Sequence, residues 1–213
     1  HREGITSVTR EQVHAARKAG YVVKLLAICE RLTDAATGVE GVSARVHPAL
    51  VPLDHPLAAV HGGNNAVFVE AEAAGSLMFY GAGAGGIQTA SAVLGDLVSA
   101  ARRHVAGGPG VAESTHANMP VLPISSVTTR YQITLSVIDE PGVLATIATL
   151  FSDHGVSVEA VSQSVRDGAD APTATLVIVT HEAAESALAS TVTALAASPV
   201  VSSVVSVLRV EGL

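Results

Sequence analysis

The stretch FYGAGAGGIQTAS, residues 79–91, sets Gly81, Gly83 and Gly86 at the spacing G-x-G-x-x-G, with an apolar run from Ser76 to Tyr80 entering and a helical pattern from Ile87 leaving. Glycines at a strand-to-helix turn let backbone N–H groups approach a phosphate, because no Cβ stands in the way. A complete dinucleotide-binding unit needs more: a second parallel strand after the helix and, roughly 20 residues on, an acidic side chain to hold a ribose. Neither follows Gly86. These glycines therefore either close a tight turn or take part in an anion site that is not a self-contained nucleotide domain. A second stretch, IDEPG at 138–142, offers different chemistry. Gly142 leaves N–H groups accessible at a helix N-terminus, where a ligand carboxylate is favoured, and Asp139 is an acceptor for an ammonium or hydroxyl group. The same loop also serves as a plain helix start, with Glu140 as cap and Pro141 in the first position.

Other reactive side chains carry less. His47, His55 and His61 are spaced by eight and six residues, which fits neither a helix face nor a zinc ribbon, so no metal site is expected. Ser91 and Ser99 sit inside a helical pattern without a nucleophile elbow, which excludes hydrolase chemistry of that type. Lys24 interrupts an apolar strand and reads as a structural or interface residue. Cys29, the single cysteine, cannot form an internal disulfide and reads as a packed core thiol in a reducing cytoplasm.

The elements that must position these residues follow from periodicity and punctuation. Thr9 and Gln12 form a capping box that opens a helix ended by Gly20. Tyr21 to Ile28 and Val42 to Leu50 read as strands, and Ala66 to Glu72 with Ser76 to Tyr80 as a hairpin around Ala73 to Gly75. A helix from Gly86 to His104 repeats Ala90, Val93, Leu94, Leu97 and Val98 on one face. Beyond a Gly, Pro and Ser-rich stretch from Gly107 to Ser126, the order becomes strand (130–138), helix (from Pro141 to before Gly155), strand (156–165), strand (173–180), helix (182–197) and strand (200–210). A polar turn at 167–172 separates the middle strands. This βαββαβ order predicts a ferredoxin-like sandwich, so the fold class is α/β in the α+β sense, with a mixed or antiparallel sheet in the first half. The expected domains are 1–107 and 127–213, joined by a linker at 108–126.

Composition agrees with two soluble halves. Of 213 residues 48% are hydrophobic and the mean hydropathy is +0.44, which excludes general disorder. The most apolar strand, YVVKLLAIC, is broken by Lys24 and falls far short of the roughly 18 residues of a membrane span. Residues 1–107 carry nine Lys/Arg and nine Asp/Glu, and residues 108–213 carry three and ten, so the net charge of −7 lies in the second half. No basic stripe is present for nucleic acid. The opening HREGI has no methionine and no signal-peptide layout, so an upstream segment is expected.

Several runs together resemble a known family: EGI at 3–5, AGYVVKLLA at 19–27, ARVHPALVP at 44–52, HPLAAVHGGNNAVFVE at 55–70 and LMFYGAGAGGIQTASAVLGDLV at 77–98. They are similar to the second half of the catalytic domain of homoserine dehydrogenase. IDEPGVLATIATLF at 138–151 and HGVSVEAVSQ at 154–163 resemble the ACT regulatory domain appended to bacterial forms of that enzyme. The resemblance implies an NADP- or NAD-dependent interconversion of aspartate 4-semialdehyde and homoserine, with Gly85, Gly83 and Gly86 bordering a cofactor bound mainly by an N-terminal Rossmann domain. It places the catalytic lysine and aspartate before His1, so no catalytic residue is assigned here and the chain alone is expected to be inactive. It further implies a homodimer or homotetramer and an amino-acid effector, L-threonine or a relative. The effector would lie at Asp139, Gly142, Val143 and Leu144, near Gln163 of a neighbouring domain. The competing reading is a stand-alone amino-acid-binding ACT module without catalysis.

Overall fold

The computed structural model describes residues 1–107, 118–166 and 173–212. The expected turn at 167–172 and most of the expected linker, 108–117, lie outside them.

Local chemistry starts the first elements. Thr9 accepts from the Gln12 N–H at 3.3 Å and donates its own N–H to Gln12 Oε1 at 2.7 Å, the capping box that opens α1 (Arg10–Lys18). Gly20, at φ +87°, turns the chain into β1 (Tyr21–Thr33), which pairs antiparallel with β2 (Glu40–Pro52) over their whole length. In the turn between them, hydrogen bonds from the Ser126 and Thr37 hydroxyls hold the Asp34 carboxyl down at about 2. There follow β3 (Asn64–Ala71), β4 (Gly75–Ala82), α2 (Gly86–Ala106), β5 (Thr128–Ile138), α3 (Val143–Asp153), β6 (Val158–Arg166), β7 (Thr173–Thr180), β8 (Ala183–Ala184), α4 (Glu185–Ala197) and β9 (Val201–Val210).

The main sheet runs β1-β2-β9-β5-β7-β6, with β8 against the start of β5. Its last four strands are antiparallel neighbours and, with α3 and α4, form the expected βαββαβ unit. β5 buries Tyr131, Ile133, Leu135 and Val137 in strict alternation. These meet Ile147 and Phe151 of α3 and Leu188 and Leu195 of α4 in one apolar core.

β2 is the seam of this sheet. One edge takes β1, and the other is shared by three segments remote in sequence. Val42 donates to Pro120 O and accepts from the Leu122 N–H, both at 2.9 Å; the Val46 N–H donates to His1 O at 2.9 Å and its carbonyl accepts from the Glu3 N–H at 2.7 Å. Ala49 and Leu50 pair in parallel with Arg209 and Val210 of β9. The approach at Gly41 is close enough that a Cβ would lie 2.6 Å from Pro120 O and from Leu122 Cγ. Leu50, Ala16, Leu208 and Val210 make a second small core.

The chain accordingly divides into two compact units, His1–Leu53 with Met119–Leu213, and Asp54–Asn118. This cuts across the division expected from composition, because residues 1–53 pack with residues 119–213 through β2. The second unit consists of the β3–β4 hairpin and α2. Ile87, Val93, Leu94, Leu97 and Val98 of α2 are all exposed, and the helix has no buried residue.

Two local expectations need correction. The helix of the second half starts at Val143 rather than Pro141, because Gly142 at φ +94° is its N-cap and the Val143 N–H closes a turn onto Glu140 O at 3.4 Å. Cys29 is exposed rather than packed. In the β1–β2 register it stands opposite Ala44, and Ala27 opposite Val46, so all four lie on a sheet face that no described residue covers.

Candidate functional site

β4 delivers the chain to the glycine turn and α2 takes it away. Gly85 is the N-cap of α2 at φ +132° and receives the Thr89 N–H on its carbonyl at 3.0 Å. The three glycines have different reasons to be there. A Cβ on Gly83 would lie 1.5 Å from Asn65 Nδ2, so this glycine admits the Asn65 side chain from β3. Gly85 is required by its backbone conformation. Gly86 has nothing within 4 Å of its Cβ position, which faces open space. An open apolar groove runs from Gly85 and Gly86 over Thr89, Ala90, Val93 and Leu94. The first turn of α2 contains no acidic residue, so the N–H groups and the positive end of the helix are free to favour an anion.

At the other candidate turn, the structure brings two expected residues together. Gln163 Nε2 on β6 donates to Asp139 Oδ1 at 3.2 Å within the same chain. Gly142 is exposed with nothing within 4 Å of its Cβ position, and Leu144 is exposed. The Val143 side chain is buried in the apolar core, so Val143 can offer a ligand only its backbone. Asp139, Gly142, Leu144 and Gln163 thus leave one wet corner beside a helix N-terminus.

Lys24 lies on β1 opposite Ala49, and burial pushes its ammonium down. Among the described residues no group of three or more His, Cys, Asp or Glu could hold a metal ion. His55 stacks edge-on against Phe68 with ring centroids 4.7 Å apart, a packing duty.

Sequence reasoning missed a buried charge cluster along the β2–β9 seam. Arg209 donates through Nη1 to Glu3 Oε1 at 2.9 Å and through Nη2 to Glu185 Oε1 at 2.5 Å, and lies 5.5 Å from the Tyr131 ring centroid. The Tyr131 hydroxyl donates to the same Glu185 oxygen at 2.7 Å; burial and that bond push the phenol up. Beside it, Arg45 bonds Glu30 at 2.8 Å and stands 3.7 Å from Glu211, whose other oxygen is 3.5 Å from His47 Nε2. The available signal was polarity out of place: Ser43, Arg45 and His47 alternate along β2, and Arg209 interrupts the apolar VVSVLRV.

Comparison with known proteins decides what this architecture belongs to. Residues 1–98 match homoserine dehydrogenase and residues 131–199 match the ACT domain. The chain belongs to the homoserine dehydrogenase family. It is 52% identical to the homoserine dehydrogenase of Corynebacterium glutamicum over 98% of its own length and 46% of that protein. To the enzyme of Mycobacterium tuberculosis it is 53% identical, over 100% and 48%. The crystal structure of a homoserine dehydrogenase from Thiobacillus denitrificans superposes with a TM-score of 0.85 at 34% identity, covering 98% of this chain and 47% of that one. The chain spans about half the length of the curated relatives it matches. The packing joins residues 1–53 of the first match to the strands of the second. Homoserine dehydrogenases are in general NAD(P)-dependent, and the acid-free N-terminus of α2, open at Gly86, fits the phosphates of such a cofactor. An ACT domain in general implies an amino-acid effector. No helix among the described residues is long and apolar enough to cross a membrane.

The cluster carries a pH signature. Burial, then the positive charge of Arg209, holds the His47 imidazole below its ordinary 6.5, while burial raises the Glu211 carboxyl from 4.5. Stability owed to His47 is therefore present above pH 6.5 and lost as pH falls through its lower folded value, since the unfolded chain binds that proton first. Glu211 works oppositely, its contribution being lost as pH rises through its raised folded value. His47→Asn should flatten the loss of stability between about pH 7 and pH 5 relative to the unaltered chain, read from urea midpoints across that range. An unchanged slope would remove His47 from the acid response.

Proposed function

We propose that these residues work as part of a homoserine dehydrogenase of their relatives' length, interconverting L-aspartate 4-semialdehyde and L-homoserine with NADP or NAD in the cytoplasm, on the route to threonine, methionine and isoleucine. The observation that carries this reading is the acid-free N-terminus of α2, open at Gly86, inside a segment that matches the family. The nicotinamide, when bound, supplies the hydride acceptor or donor. This chain's part is to hold and screen: first-turn N–H groups of α2 favour phosphate charge, and the apolar groove along Ala90, Val93 and Leu94 keeps water from the cofactor. Gly83 supports the turn by admitting Asn65. The reading assigns no catalytic residue to positions 1–213.

Because Gly86 has free space and an unstrained backbone, it tests cofactor contact better than Gly85, whose positive φ makes any substitution disruptive. In the full-length enzyme, Gly86→Val should raise the cofactor KM roughly tenfold, about 1.4 kcal/mol, with the unfolding midpoint retained. A KM equal to that of the unaltered enzyme would leave the glycines with turn closure alone.

For the second half, the proposed effector is L-threonine or a closely related amino acid. Its carboxylate would sit at the Leu144 N–H beyond Gly142, at the positive end of α3, and its ammonium or hydroxyl group at Asp139, with Gln163 alongside. Calorimetry on the full-length protein should give saturable heat with threonine, and Asp139→Ala should abolish it. No heat with threonine, isoleucine or methionine would reject the effector role.

The reading also includes a homo-oligomer. Leu25, Ala27 and Cys29 of β1 with Ala44 and Val46 of β2 form an exposed, largely apolar sheet face, and a two-fold copy is the commonest cover for such a face. Light scattering at micromolar concentration should report a dimer or tetramer; a monodisperse monomer would contradict it.

A further inference from the structure

We propose that Arg209 is a positioning residue that passes effector occupancy of the Asp139–Gln163 corner on to β2 and the His1–Glu3 segment, an inference that rests on the effector reading above. Among the described strands β9 alone borders both β5 and β2: it pairs with β5 from Arg130 to Val137 and with β2 at Ala49 and Leu50. At the β2 end of that strand, a single guanidinium holds three remote pieces of chain. Its bond to Glu3 reaches the segment whose backbone is hydrogen-bonded to Val46, its bond to Glu185 reaches the first turn of α4, and its cationic face lies over Tyr131 at the start of β5.

The β5–β9 pairing is regular from Arg130 to Thr134 and shifts register twice, between Thr134 and Leu135 and between Ser136 and Val137. Both irregularities lie in the half of β5 that runs into Asp139. A bulged pair is where one strand can re-aim against another without losing the rest of the ladder. A ligand that rearranges Asp139 and Gln163 therefore acts on the irregular half of the ladder, while the regular half carries any displacement of β9 toward Arg209. A buried guanidinium does not leave its carboxylates readily, so the displacement is handed to Glu3 and Glu185 instead of being lost there. From Glu3 it reaches Val46 and β2 through the backbone bond.

The test uses the full-length enzyme and three measurements: kcat and KM without effector, the threonine dissociation constant by calorimetry, and the inhibition at saturating threonine. Glu3→Gln keeps shape and an acceptor while removing charge, at a side chain that is already part-exposed and so tolerates the change in the fold. The expected result is basal kcat, KM and threonine Kd within about twofold of the unaltered enzyme, with inhibition weakened about fivefold or more, the lower range of ordinary coupling factors. Glu3→Asp, which restores the charge, should retain most of the inhibition. Full inhibition in Glu3→Gln overturns the proposal, as does a fall in basal kcat that accounts for the whole change. If the unaltered enzyme binds no threonine, the effector reading fails and this inference with it. If it binds threonine and is inhibited, and Glu3→Gln is inhibited equally, this inference fails alone.

Discussion

A guanidinium removed from water must find its carboxylates inside the protein, and that requirement at Arg209 organises the larger unit. Glu185 and Glu3 come from opposite ends of the sequence, and Tyr131 supplies both a ring face and a hydroxyl to the same group. Satisfying Arg209 thus forces the first residues of the chain, the start of α4 and the start of β5 to converge on β9. The Glu185 N–H donates to Val127 O at 2.9 Å, which fixes the head of α4 a second time. Buried ion pairs add little net stability when compared with apolar packing, yet losing one partner costs about 3–5 kcal/mol because the other charge stays behind. The pair with Glu185 is of this kind. The pair with Glu3 is half in solvent and weaker, so the cluster is strict on one side and adjustable on the other.

Most single elements were legible because their causes are local. The Thr9–Gln12 capping box, the alternation of β5 and the spacing of α2 need only neighbours within a few residues, and the four strands and two helices of the ACT half follow from such signals in order. What the sequence did not disclose is pairing over distance. Nothing near Val42, Val46 or Leu50 says that one edge of β2 will be divided among residues 120–122, 1–3 and 209–211. The division into halves by composition therefore missed the continuous sheet. Cys29 was misplaced for a related reason: its apolar strand has two faces, and only one finds a cover among the described residues.

The glycines show how one residue type in one motif serves separate ends. By spacing, Gly81, Gly83 and Gly86 are equivalent members of a pattern; by structure, Gly83 makes room for Asn65, Gly85 carries a backbone that side chains resist, and Gly86 has no steric reason to lack a Cβ. Gly142 combines two of these roles, since its φ of +94° ends the β5 turn and its bare surface leaves the α3 N-terminus accessible. Gly81 shares with Gly86 the lack of local crowding and of a left-handed backbone, but of the two only Gly86 lines the apolar groove.

The two units also differ in how completely they meet their own apolar demand. In the ACT half, Ile133, Leu135, Ile147, Phe151, Leu188 and Leu195 are almost free of solvent. In the other unit, α2 runs for 21 residues with an apolar stripe and no buried side chain. Helices of that length gain most of their stability from packing such a stripe rather than from intrinsic propensity. The stripe is therefore specified for a cover that the described residues of this unit do not provide. Exposure consequently misleads as a guide to tolerance here: Ile87, Val93 and Leu97 look like surface residues, yet a polar substitution there removes apolar surface that such a cover needs. Polar positions of α2 such as Asp96 and Arg103, outside the stripe, carry no such demand, so two equally exposed sets of residues on one helix are under opposite constraints.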